Sequence, residues 1–118
     1  MDIEQYRIFC LSQRGTSEDF PFGEDTLVFR VANKIFALTS ITANPLTSNM
    51  KCDPERAIDL RESYPDAITG GYHMNKKHWN TVEIESLPDA LVKELVRHSY
   101  DLIVASLKKA DREALLLL

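Results

Sequence analysis

Chemistry-bearing side chains concentrate in Gly70-Gly71-Tyr72-His73-Met74-Asn75-Lys76-Lys77-His78-Trp79-Asn80. Two adjacent cations, two imidazoles and two aromatic rings follow a pair of glycines. Residues 67–82 hold no acid and carry Lys76, Lys77, His73 and His78. Lysines in such a run gain affinity for phosphate by counterion release. Rings beside them can stack on bases, and asparagine amides can bond to backbone or base edges. The plainer reading of the same residues is a solvated hairpin approach at Lys76-Lys77, with Trp79 as a core anchor, because tryptophan usually packs inside.

Other chemistry finds little support. His73 and His78 are separated by Lys76 and Lys77, which would oppose a bound cation, so solvated or packed histidines are expected and no metal or cofactor is implied. There is no Gly-rich phosphate loop, no Gly-x-Ser-x-Gly elbow and no His-Glu-x-x-His pair. No two carboxylates are singled out as an acid/base pair. The chain therefore does not read as an enzyme, and it offers no catalytic residue. A small pocket with Tyr72, His73 and His78 as polar groups is the residual ligand-binding alternative. Cys10 and Cys52 do not make a disulfide framework and read as free thiols.

Length and charge narrow the classes. The 118 residues suit one domain, taken as 1–118, and 44% apolar with 27% charged residues is ordinary for a globular chain. Fourteen Lys+Arg against eighteen Asp+Glu gives a net charge of −4. A dedicated nucleic-acid binder usually has a basic balance, so any such contact must come from a local patch. No apolar run approaches the ~20 residues of a membrane span. The start Met1-Asp2-Ile3-Glu4 lacks the basic and apolar regions of a secretory signal. A cytoplasmic protein without membrane contact is the expectation.

Local patterns supply the elements that must position the segment. Ile3, Tyr6, Phe9 and Cys10 recur at helical spacing over residues 2–13, with Asp2 and Gln5 as a capping pair. Residues 16–23 read as a loop. Residues 26–31 and 34–41 alternate around Ala32-Asn33 and predict an antiparallel hairpin. A short strand at 48–52 follows. Asp53-Pro54 starts a helix that Tyr64-Pro65 ends. Residues 67–73 can pair with a strand at 79–85, in which Val82 and Ile84 share one face and Trp79, Thr81 and Glu83 the other. Leu91, Val92, Leu95, Val96, Ser99, Leu102, Ile103 and Leu107 make a helical apolar stripe ending near Lys108. Residues 111–118 can add a turn. The expected order is α-β-β-β-α-β-β-α: an α+β domain with a two-layer arrangement of antiparallel sheet and helices packed on one face.

Four ordered stretches resemble the MmcQ/YjbR family of small bacterial proteins. They are Phe20-Pro21-Phe22-Gly23 with Val28-Phe29-Arg30-Val31 and Lys34-Ile35-Phe36-Ala37-Leu38; Lys51-Cys52-Asp53-Pro54-Glu55; Tyr72-His73-Met74-Asn75-Lys76-Lys77-His78-Trp79-Asn80; and Ser99-Tyr100-Asp101-Leu102. The resemblance implies a YjbR/CyaY-like fold, with a double-wing arrangement of sheet and helices, and a DNA-binding role. It implies no catalytic residue. Frataxin-like iron handling does not carry over, because the first helix has only Asp2 and Glu4 as acids. The candidate DNA contacts are Lys76, Lys77, His78 and Asn80, with Lys51, Arg56 and Tyr72 as neighbours. The first turn of the Asp53-Pro54 helix could also receive a phosphate on its N–H groups. The alternative function is a protein-interaction or self-association domain with no nucleic-acid role, using Leu115, Leu116, Leu117 and Leu118 as an exposed apolar end.

Overall fold

The computed structural model describes residues 1–71 and 74–118. Its elements are α1 (Ile3–Leu11), β1 (Thr16–Asp19), β2 (Thr26–Val31), β3 (Lys34–Ser40), β4 (Thr47–Lys51), α2 (Pro54–Ser63), β5 (Ile68–Gly70), β6 (Trp79–Glu83), α3 (Asp89–Ala105) and α4 (Lys109–Leu116). The strands form one six-stranded sheet in the order β1-β2-β3-β4-β6-β5, and every pairing is antiparallel. The α+β class, the antiparallel sheet and the expected run of elements are all present.

Two elements exceed the sequence reading. Residues 16–19 are strand β1, paired with β2, where a loop was expected. Its four residues, Thr-Ser-Glu-Asp, carry no apolar signal. Side chains anchor the strand instead: Arg7 of α1 forks onto Glu18, and Arg30 of β2 reaches Asp19 at 3.0 Å. The tail forms helix α4, which buries Leu115.

Helix starts follow their caps. Asp2 accepts from the Gln5 N–H at 2.8 Å and donates its own N–H to Gln5 Oε1 at 3.0 Å, a reciprocal box that opens α1. Asp53 accepts from the Arg56 N–H at 3.1 Å, with Pro54 in the first helical position of α2. Between β2 and β3 both turn residues take positive φ, Ala32 at 47° and Asn33 at 66°, as a two-residue hairpin turn of this hand requires.

The helix contacts fall on one face of the sheet. Tyr6 of α1 bonds Ser48 of β4 at 2.6 Å, Ala57 of α2 meets Asn80 of β6, and Ser99 of α3 meets β3 and β4. Phe29, Phe36, Met50, Val82 and Ile84 of this face pack with Val92, Val96 and Tyr100 of α3. Rings meet edge to face at the centre, Phe36 on Tyr100 at 5.5 Å and Tyr6 on Phe29 at 6.0 Å. The register shift in the β2–β3 pair leaves Phe36 as the extra residue of a bulge. Ser99 donates to the Phe36 carbonyl at 2.5 Å and accepts from the Lys51 N–H at 2.9 Å. The polar interruption in the α3 stripe thus ties that bulge to the end of β4.

Candidate nucleic-acid interface

The cationic segment is the connection between β5 and β6. Gly71 N–H donates to the Trp79 carbonyl at 2.8 Å and closes the hairpin. A Cβ on Gly71 would lie 2.8 Å from the Trp79 Cβ and 3.0 Å from the Trp79 carbonyl oxygen, so this close approach requires glycine. The Asn75 carbonyl accepts from His78 N–H at 3.1 Å and Trp79 N–H at 2.9 Å. The Asn75 side chain accepts from Lys77 N–H at 2.9 Å. These bonds wind residues 75–78 into a tight turn, with Lys76 and Lys77 exposed on it.

Helix α2 holds that turn in place through Arg61. Its guanidinium donates to Asn80 Oδ1 at 2.7 Å and also to the Lys76 carbonyl. Asn80 in turn donates to the Ala57 carbonyl at 3.4 Å. Pro54, Ile58 and Arg61 of α2 face Lys76 and Lys77 across a groove of about 310 Å³. The groove has an apolar wall, since Ile58 is 52% exposed, and three cationic side chains around it. Glu55, Asp59 and Glu62 are exposed on the neighbouring stripe of α2 and bound the basic zone on that side.

The expected contacts divide. Lys76 and Lys77 come together at the groove. His78 is half-buried beside them, and its carbonyl accepts from Cys52 N–H at 2.8 Å. Asn80 is 2% exposed with both ends of its amide engaged, so it supports the turn from beneath and has no surface to offer a ligand. Lys51 lies on the opposite sheet face from α2, directly across from Trp79. Arg56 is ion-paired with Glu94 of α3 at 2.5 Å. The first turn of α2 does not stand open to a phosphate as expected: Pro54 has no N–H, and Asp53 occupies that of Arg56. Tyr72 and His73 lie outside the described residues.

Two residues escaped the sequence reading. Ile58 and Arg61 join the groove because Pro54, Ile58 and Arg61 recur at i, i+4 and i+7, one helical face. An isoleucine and an arginine on the stripe flanking Ala57 and Leu60 were the available signal. Trp79 also departs from expectation. It is half-buried on the sheet face away from the helices and stands apart from the core cluster.

Electrostatics around the base of the site favour neutral groups. The His98 imidazole accepts from the Asp53 N–H at 3.1 Å. Burial, with Arg56 adding to it, holds its pKa below the usual 6.5, against Asp53, Asp101 and Glu94. Burial likewise raises the Cys52 thiol, and it pushes Cys10 up to about 12. Among the described residues no group of three His, Cys, Asp or Glu side chains is placed to hold a metal. No helix among them is long and apolar enough to cross a membrane.

Comparison with known proteins agrees with this architecture. A crystal structure of a protein from Deinococcus radiodurans superposes with a TM-score of 0.91 at 41% identity, over 97% of this chain and 87% of that one. One from Pseudomonas syringae gives 0.74 at 27% identity, over 86% and 98%. Among curated relatives, the uncharacterized protein YbdF of Escherichia coli O157:H7 is 39% identical over 95 residues, 80% of this chain and 77% of its own. The uncharacterized protein YjbR of Escherichia coli K12 is 29% identical over 116 residues, 98% of each chain. The YjbR family model matches residues 11–102, a span that runs from the end of α1 through β1–β6 into α3 and takes in the whole candidate interface, and so the chain belongs to the YjbR family.

Proposed function

We propose that this protein is a non-enzymatic, cytoplasmic DNA-binding module that grips the phosphate backbone. The observation that carries the reading is the Arg61-held turn. It presents Lys76 and Lys77 side by side over a groove, in a stretch free of acids. Holding the turn in advance lowers the conformational entropy lost on binding. Affinity on an acidic chain of net charge −4 would come from this local field and fall steeply with salt.

The test is fluorescence anisotropy with a labelled mixed-sequence duplex between about 50 and about 200 mM salt. Lys76, Lys77 and Arg61 together predict a log–log slope of roughly −3. A Lys76→Ala/Lys77→Ala variant is expected to flatten it by about 2. Folded protein that binds neither duplex nor single strand at the lowest salt would sink the proposal.

A second reading rests on a separate observation. Leu116, Leu117 and Leu118 are 71%, 88% and 74% exposed, an apolar end suited to self-association. Sedimentation of the full chain and of a variant ending at Leu115 distinguishes it. A dimer lost on truncation supports this reading, and a monomer in both cases removes it.

A further inference from the structure

The helices pack on one face of the sheet. The second face is closed over the fully buried Val28 at β2 but partly exposed along β4 and β6, and the cationic turn leads directly onto that open end. By strand alternation this face carries Thr47, Asn49 and Lys51 of β4, Trp79, Thr81 and Glu83 of β6, and Leu38 and Ser40 of β3. Lys51 stands directly opposite Trp79, and Asn49 opposite Thr81, whose hydroxyl it bonds at 2.6 Å. A groove of about 240 Å³ runs beside this pair, lined by Leu38, Ser40, Thr47, Asn49 and Thr81. The acids of the face sit away from the Lys51–Trp79 end. Glu83 is at the far end of β6 and accepts from Ser86, and Asp19 is on the outer strand, paired with Arg30.

The tryptophan is the informative residue. It is the only one in the chain, and it lies outside the core on a surface of threonine, serine and asparagine. Its backbone is clamped by Gly71, so its position on the face is set by the hairpin. Lysines flank it, Lys51 across the strand pair and Lys76-Lys77 just before it in sequence. An aromatic ring on a polar sheet, bracketed by cations, matches the needs of an unpaired nucleotide: a π-face for the base and charge for the phosphates on either side. A duplex keeps its base faces buried in its own stack and cannot use such a platform.

We propose that this open face binds single-stranded DNA, with a base stacked on Trp79 and the flanking phosphates held by Lys51 and by Lys76 and Lys77. The inference rests on the phosphate-binding reading of the turn and adds the substrate class. Contact with the polar groove beyond Thr81 extends the strand path toward β3, away from α2.

Trp79 emission reports on this site alone, since no other tryptophan is present. The full chain is titrated at about 50 mM salt with an oligothymidylate of about 12 nucleotides and with a duplex of equal length. The single strand is expected to quench the emission saturably, and the duplex to leave it nearly unchanged. With labelled oligonucleotides, Trp79→Leu is expected to lose about tenfold in single-strand affinity. Trp79→Phe, which keeps a ring and confirms that the sheet tolerates the exchange, keeps most of it. Lys51→Gln is expected to reduce the single-strand salt slope by about 1. Single-strand binding without quenching, or equal affinity in wild type and Trp79→Leu, overturns this inference. Duplex binding that depends on Lys76 and Lys77 would then still uphold the phosphate reading. Folded protein that binds neither strand form overturns both.

Discussion

Ser99 interrupts the apolar stripe of α3, yet it is fully buried and bonds two backbone groups from different strands. Removing its hydroxyl strands the Phe36 carbonyl and the Lys51 N–H in the interior. Ser99→Ala is therefore expected to destabilise by about 1–3 kcal/mol, read as a lower urea midpoint with unchanged m-value. His98 makes a protonation-dependent bond. Its neutral form accepts from Asp53 N–H, and its pKa is held below the usual 6.5 by burial and by Arg56. Below 6.5 the unfolded chain therefore takes up a proton that the folded chain resists, so this contribution is present above 6.5 and lost as pH falls through the folded value. His98→Gln keeps an acceptor without a titration. The stability gap between wild type and this variant should shift against wild type on going from about pH 7 to about pH 5. Cys10, 0% exposed with its thiol pushed up to about 12, should resist a thiol reagent until the protein is unfolded.

At the scale of elements, the β5–β6 hairpin shows how backbone geometry serves the site. The two glycines at its base are not equivalent. A Cβ on Gly70 would meet only the flexible Lys76 side chain, at 3.2 to 3.3 Å, which can move aside. A Cβ on Gly71 would press on Trp79 backbone. Gly71→Ala is expected to destabilise by about 1–3 kcal/mol and to disturb the turn, whereas Gly70→Ala should stay within about 0.5 kcal/mol. Chemical denaturation of the two variants side by side tests the contrast. Strand β1 makes the complementary point. Its sequence pattern has no strand character, and it is paired because β2 presents a ladder edge and Arg7 and Arg30 supply partners for Glu18 and Asp19. Propensity is a weak guide where tertiary partners decide.

Over the whole molecule, α4 closes the end of the fold near Gly15 and Ala32. Arg112 binds the Leu107 carbonyl at 2.8 Å and the Ala105 carbonyl at 3.3 Å, capping the end of α3 and fixing the angle of α4. Leu115 is 9% exposed and belongs to the core, while the three leucines after it are solvent-facing. The four C-terminal leucines do not act as one patch, as expected from their run, because a helix sends neighbours to different sides. Leu115→Ala is expected to cost about 2–3 kcal/mol. Ending the chain at Leu115 should leave stability within about 0.5 kcal/mol, so thermal melts separate a packing role from a partner role.

The amino-acid order alone specifies the elements that have strong periodicity or explicit caps. These are α1, the β2–β3 hairpin, α2 behind Asp53-Pro54, the α3 stripe and the two faces of β6. Their signals are local, written in spacing and in residues whose φ preference or hydrogen bonding acts within one turn. It also located Lys76 and Lys77, because a cation pair in an acid-free run is a one-dimensional property. Tertiary structure alone decided the rest. Arg61 and Asn80 are nineteen residues apart, and their bond exists only because α2 packs across β6. Asn80 went inside and Trp79 outside because helices cover one sheet face only. Sequence alternation says that two neighbours point in opposite directions, but which direction is the interior depends on where the helices dock.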